Sequence, residues 1–171
     1  NRVSIISTNS YIFNGTVRDN LLIAKKDATL EEINYALKKA NLLDFVNSKK
    51  EKLDLEVGEG GSKLSGGQKQ RLALARTILA NREVIIFDEA TSNIDVESEN
   101  MIWKSINEIS KEKTVIVISH RLANVKNADR IYMLDKGILV EEGSHKDLME
   151  RKNKYYGMVN YQNELEIGGV I

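Results

Sequence analysis

The sequence predicts an α/β fold: a mainly parallel sheet with flanking helices. Two apolar runs of strand length, Val84-Ile85-Ile86-Phe87 and Val115-Ile116-Val117-Ile118, have the pattern of strands buried on both faces. Helix-start patterns lie between and around them, so strands alternate with helices. Each run ends in polar, chemically able residues: Asp88-Glu89 after the first, Ser119-His120 after the second. In parallel sheets ligands bind beyond the carboxyl ends of the strands.

The elements follow in order. Residues 3–7 read as a short strand and 16–22 as a helical turn introduced by Gly15. Thr29-Leu30-Glu31-Glu32 is a capping box opening a helix to about Ala40, with Leu30, Ile33, Ala36 and Leu37 on its inner face. Residues 42–46 make a second short helix, and Gly58-Glu59-Gly60-Gly61 a loop. Ser65-x-x-Gln68 is another capping box, starting a helix to about Ala80 whose Leu72, Ala75, Ile78 and Leu79 face inward. After the 84–87 strand come a helix over 96–110, a strand over 114–119 and a short helix over 121–126. Residues 130–134 and 138–142 flank Lys136-Gly137 as a hairpin-like pair at the end of the sheet. A final helix starts near Ser144 and passes Leu148.

Composition narrows the function. A chain of 171 residues suits one compact domain, and its 42% apolar content argues against disorder. Its 25 basic and 25 acidic residues cancel without long runs, which argues against binding nucleic acid by bulk charge. There are no cysteines, so disulfides and thiolate metal sites are excluded, and with two histidines (His120 and His145) a zinc site is not expected. His145 has no chemical setting and is expected at the surface. No apolar stretch reaches the roughly 18–20 residues that span a bilayer. The opening Asn1-Arg2-Val3-Ser4 runs straight into a strand pattern, which reads as a start inside a larger protein.

Leu64-Ser65-Gly66-Gly67-Gln68 places a hydroxyl and two glycines at a helix start, where unpaired N–H groups attract anions. The same residues also suit an ordinary capped helix. Asp88 can hold Mg²⁺ while Glu89 polarises an attacking water; alternatively the pair is a helix cap or a solvated loop. Ala90-Thr91-Ser92-Asn93-Ile94-Asp95 is a polar turn suited to tight backbone contacts. His120 can hydrogen-bond a γ-phosphate, or serve structure alone. No G-x-x-x-x-G-K-[ST] phosphate loop occurs in the 171 residues.

These motifs together resemble the nucleotide-binding domain of an ATP-binding cassette (ABC) transporter. Residues 64–71 are similar to the family's signature sequence, 84–89 to its Walker B strand with catalytic glutamate, 92–95 to its D-loop and 118–122 to its switch-histidine segment. Residues 137–145 resemble the segment that follows. Asn14-Gly15-Thr16-Val17-Arg18-Asp19-Asn20-Leu21 is similar to the stretch that meets the membrane domain in exporters. The resemblance implies a P-loop NTPase-like fold with a helical subdomain bearing the signature. It divides the chain into a helical segment of about 23–80, a catalytic core of 1–22 and 81–150, and a C-terminal tail of 151–171. Its family's phosphate loop lies upstream of the Q-loop, hence before Asn1, and its strand is expected inside the sheet beside the Walker B strand.

The implied activity is ATP hydrolysis, with Mg²⁺, driving export across a membrane. Two such domains, identical or not, face each other with ATP between one domain's phosphate loop and the other's signature helix. Ser65, Gly66, Gly67 and Gln68 would bind the γ-phosphate held by the partner, and Asp88 would position Mg²⁺. Glu89 would polarise water, His120 would hold the γ-phosphate, and Asn93 with Asp95 would contact the facing subunit. The other partner is the transmembrane domain, placing the chain at the cytoplasmic face of the cell membrane, with no nucleic acid involved. Thr8 falls where the family's Q-loop glutamine belongs, and it is too short to match that reach. Asn9 substitutes in part, so coupling at Thr8 and Asn9 is expected to be altered. Without a phosphate loop, the isolated chain is expected to be inactive and to risk exposed strand edges. Two other readings are a regulatory, hydrolysis-poor nucleotide-binding domain of a heterodimeric transporter and a soluble ABC-type ATPase acting on DNA or ribosomes.

Overall fold

Five residues each form β1 (Val3–Ser7), β2 (Val84–Asp88) and β3 (Thr114–Ile118), and these pair in parallel in the order β1-β2-β3. The computed structural model describes residues 2–91 and 94–168, with nothing described for the side chains of Ala123 and 166–168. Register aligns Ile5, Ile86 and Ile116 across the sheet, and ends it on the row Ser7, Asp88 and Ile118. Because side chains alternate along a strand, Ile6, Ile85 and Phe87 all reach the core.

The opposite face stays open. Ile5 is 65% exposed, Ile116 47% and Ile118 48%. The sequence implies strands covered on both faces, and this is corrected: the apolar run over 115–118 is only half-covered, with Val115 and Val117 packed on the core and Ile116 and Ile118 exposed. A second expectation also falls. A strand has two edges, and β2 spends both, on β1 and β3. No strand can therefore lie inside the sheet beside β2; the free edges belong to β1 and β3.

The helices start where capping chemistry dictates. Thr16, Thr29 and Ser65 cap α1 (Val17–Leu22), α2 (Leu30–Lys39) and α4 (Gly66–Leu79), each in a complete capping box closed by Asp19, Glu32 and Gln68. Between α2 and α4 lie α3 (Leu43–Asn47) and two short 3-10 turns, Lys52–Asp54 and Glu59–Gly61. The second turn occupies the expected glycine loop and requires glycine, since Gly58, Gly60 and Gly61 all have positive φ. α1 and α2 pack on α4, and α4 packs on β1. Leu21, Ala36, Leu37, Leu72, Ala75 and Ile85 are completely enclosed there. Leu30, expected on the inner face of α2, is instead 60% exposed. It is the first residue of its helix, so the apolar stripe begins one turn later, at Ile33. After β2, α5 (Val96–Ile109) buries Ile102, Ile106 and Ile109 on the same core.

Residues 119–171 form a second unit. It holds α6 (Leu122–Val125), β4 (Ile131–Asp135), β5 (Ile138–Gly143), α7 (His145–Arg151) and α8 (Lys154–Gly168). β4 and β5 make the expected hairpin, turning at Lys136 and Gly137, both with positive φ. They form a two-stranded antiparallel sheet of their own rather than the end of the parallel one. Ile131, Leu148 and Tyr155 make a small core. Here His145 is corrected from a surface residue: it is half-buried, with Nδ1 2.8 Å from the Tyr155 hydroxyl.

Several capping carboxyls titrate below their ordinary values. Backbone N–H donation at Thr16 and at Ser98 holds the Asp19 and Asp95 carboxyls below the ordinary 3.8. Lys25 lowers Glu32 from 4.5, and the Ser144 hydroxyl lowers Asp147 from 3.8. A carboxyl with a depressed folded pKa binds more protons when unfolded, so its contribution is present above the ordinary value and is lost as pH falls through the folded one. Denaturant midpoints measured against pH are therefore expected to be flat near neutrality and to fall below about pH 4. Asp95→Asn should flatten part of that acid limb.

Candidate active site

The Ser65–Gln68 turn opens α4. Ser65 Oγ accepts the Gln68 N–H at 3.2 Å, and Gln68 Oε1 accepts the Ser65 N–H at 2.9 Å. This reciprocal pair fixes the turn and leaves the N–H groups of Gly66 and Gly67 with no carbonyl inside the helix to serve. Ser65 and Gly66 are exposed, whereas Gly67 is buried. An anion can thus approach the turn from the Gly66 side, where no side chain obstructs it.

The carboxylate pair sits at the end of the middle strand. Asp88 ends β2 and is exposed. Glu89 follows with φ 50°, a left-handed conformation unfavourable for a residue with a side chain. The other non-glycine residues with positive φ that follow α2, α4 and α7, namely Asn41, Asn81 and Lys152, end helices. Glu89 instead breaks out of a strand, and its N–H donates to Ile118 O of β3 at 3.1 Å. Backbone strain held in this way marks a position whose side-chain direction matters.

Asp95 plays a part that sequence did not anticipate. It caps α5, its Oδ1 accepting the Ser98 N–H at 2.8 Å. Asn93 lies outside the described residues. Thr8 and Asn9 follow β1, Thr8 half-buried and Asn9 exposed. His120 belongs to the second unit and is exposed; its carbonyl accepts from Gln162 Nε2 at 2.7 Å. Gln162 Oε1 in turn accepts the Leu122 N–H, so α8 anchors the segment carrying His120.

Two residues of α4 were missed by sequence reasoning. Gln70 Nε2 donates to the carbonyls of Ser7 (3.2 Å) and Thr8 (2.9 Å), and Arg76 donates to Tyr11 O at 2.9 Å. Arg76 also lies over the Phe13 ring. The signature helix therefore grips the stretch after β1 through that stretch's backbone, which leaves no side-chain pattern to read. The available signal was a polar Gln70 and a charged Arg76 within a helix otherwise rich in buried apolar residues. Arg76→Met should cost about 1.5–3 kcal/mol, the worth of a charged hydrogen bond. Faster hydrogen exchange confined to residues 10–14 would report it.

Residues 1–92 match the family model described as ABC transporter. The chain belongs to the ABC transporter family. It is 52% identical over 165 residues to an ABC transporter ATP-binding protein of Haemophilus influenzae, covering 96% of this chain and 29% of that protein. It is 41% identical over 162 residues to an ATP-dependent lipid A-core flippase of Desulfotalea psychrophila, covering 95% and 28%. Among solved structures, a bacterial Atm1-family ABC exporter with ATP bound superposes with a TM-score of 0.86 at 38% identity, over 94% of this chain and 28% of that one. The ABC chain spans less than a third of the length of these relatives. Its α/β architecture is the P-loop NTPase-like fold of the family.

Mg²⁺ can be tested against the residues of this ABC domain. Asp88 offers an exposed carboxylate at a strand end, a hard oxygen donor of the right kind. Among the described residues no group of three or more His, Cys, Asp or Glu could hold a metal ion. Mg²⁺ takes one or two carboxylates together with water, and Asp88 is a donor of that type.

Proposed function

We propose that this chain is part of the ATP-binding and ATP-hydrolysing domain of an ABC exporter, coupling hydrolysis to transport across a membrane. The observation that carries the reading is Glu89, held left-handed at the carboxyl end of β2 next to exposed Asp88. Glu89 takes the role of general base for the attacking water, and Asp88 that of the Mg²⁺ ligand. Bound there, Mg²⁺ would neutralise charge on the β- and γ-phosphate oxygens. Ser65, Gly66, Gly67 and Gln68 receive the γ-phosphate of a nucleotide whose lysine-bearing loop another domain supplies. His120 senses the γ-phosphate, and Asn93 and Asp95 meet the facing domain. Coupling to a transmembrane domain, at the cytoplasmic face of the cell membrane, runs through Thr8 and Asn9 and is altered by the short Thr8 side chain.

The export class is supported by relatives whose names include a flippase and an exporter. A second reading, a hydrolysis-poor regulatory domain, is favoured by Thr8 in place of a glutamine. ATP turnover by the complete protein in liposomes separates them. Saturable turnover that EDTA abolishes supports the first reading. ATP binding without turnover supports the second, and failure to bind ATP sinks both.

A further inference from the structure

The inner side of the Ser65–Gln68 turn meets α5 with no side chain of its own, so the Ser98 side chain lies directly against the Gly67 backbone. A Cβ placed on Gly67 would lie 2.0 Å from Ser98 Oγ and 2.3 Å from Ser98 Cβ, distances that real side chains do not adopt. Ser98 is only 6% exposed and hydrogen-bonds Asp95 through its backbone N–H and its side chain. One helical turn after Gly67, on the same side of α4, Arg71 points at the same partner. It is 9% exposed, donates to Met101 Sδ and lies in the field of Asp95 and Glu97. Its Nε has no hydrogen-bond partner among the described residues.

We propose that Arg71 is a positioning residue, and that the close approach of Gly67 to Ser98 lets it seat the Ser65–Gln68 turn directly on the start of α5. The anion-receiving turn and the Asp95 turn then move as one body. Gly67 is glycine for this reason: its missing side chain is the space that Ser98 occupies. An anion drawn to Gly66 and Gly67 therefore shifts the start of α5, and a contact made at Asp95 shifts the amides that meet the anion. This rests on the nucleotide-binding reading above and adds to it the residues that couple the two surfaces.

The test is a pair of substitutions made singly and together in the complete protein, with KM for ATP and kcat measured. Gly67→Ala is expected to raise KM roughly tenfold or more, and Ser98→Gly alone less than about threefold. In the double variant, removal of the serine side chain makes room for the methyl, and KM should return to within about threefold of the parent. A double variant as impaired as Gly67→Ala would overturn the proposal, because the methyl would then be obstructing something other than Ser98. Arg71→Met keeps length and apolar bulk but removes the charge; a several-fold rise in KM with kcat retained is expected. Unchanged KM there would reduce Arg71 to a space-filler. Glu89→Gln, measured in parallel, keeps the two readings apart. If it abolishes turnover while the double variant shows no rescue, the function stands and the seat falls. If even the parent hydrolyses no ATP, the functional reading fails, and the seat is judged by the unfolding midpoint: restored by Ser98→Gly in the Gly67→Ala background, or not.

Discussion

Replacing Glu89 by Gln in the complete protein is expected to lower ATP hydrolysis by about 10²–10⁴-fold, the range for loss of a positioned general base. ATP binding should be spared. Glutamine keeps the shape and the hydrogen-bonding oxygen but cannot accept the proton that water must lose. The backbone argument sharpens the expectation. Glu89 adopts φ 50°, with its N–H tied to Ile118 O, so the backbone that carries its side chain is anchored to the sheet. The substitution should therefore leave the fold unchanged while removing the chemistry. Unchanged turnover would take Glu89 out of its role. Glu89→Gly, which relieves the left-handed strain, should gain a little stability and lose the same activity.

Phe87→Ala is expected to destabilise the domain by about 3–5 kcal/mol, the usual cost of emptying a buried aromatic site. Phe87 is among the largest fully enclosed side chains and stands directly before Asp88-Glu89. It packs in the cluster that also holds Ile85, Leu72 and Ile106. The loss is a large share of the roughly 5–15 kcal/mol that folded domains possess. Trp103, the one tryptophan, is packed against that core and reports unfolding in the 171-residue chain without labelling. A denaturant midpoint that barely moves would mean that β2 is not the centre of the core. Ile116→Ala on the open face of β3 should cost far less, since that side chain is about half exposed.

Much of the local structure was legible because capping residues are local. Thr29 with Glu32 and Ser65 with Gln68 announce their helices within four residues, and each box forms as read. The strands at 84–88 and 114–118 were equally plain from their apolar runs. Their exposure was not. Val115-Ile116-Val117-Ile118 has the same composition whether one face of the sheet is covered or both, so periodicity cannot report an open side. Strand order is likewise a long-range property: nothing within residues 84–88 says that both edges are already paired. α8 escaped notice because apolar and polar residues are spread around all of its sides, leaving no stripe to detect. At the site, the reciprocal pair of Ser65 and Gln68 was readable because it is made by side chains three residues apart. Contacts made through backbone carbonyls or through the absence of a side chain, such as Gln70 on Thr8 or Gly67 against Ser98, were not.

The central claim is that the turn at Ser65 and the carboxylate of Glu89 serve different bound nucleotides. A structure of the complete Glu89→Gln protein trapped with Mg-ATP tests it most directly. A terminal phosphate within about 3 Å of the Gly66 and Gly67 amides is expected, from an ATP whose lysine-bearing loop belongs to another domain, with residue 89 facing a second ATP. An ATP-bound complex with no phosphate at those amides, or one in which Ser65 and residue 89 of a single chain grip the same nucleotide, would contradict the account.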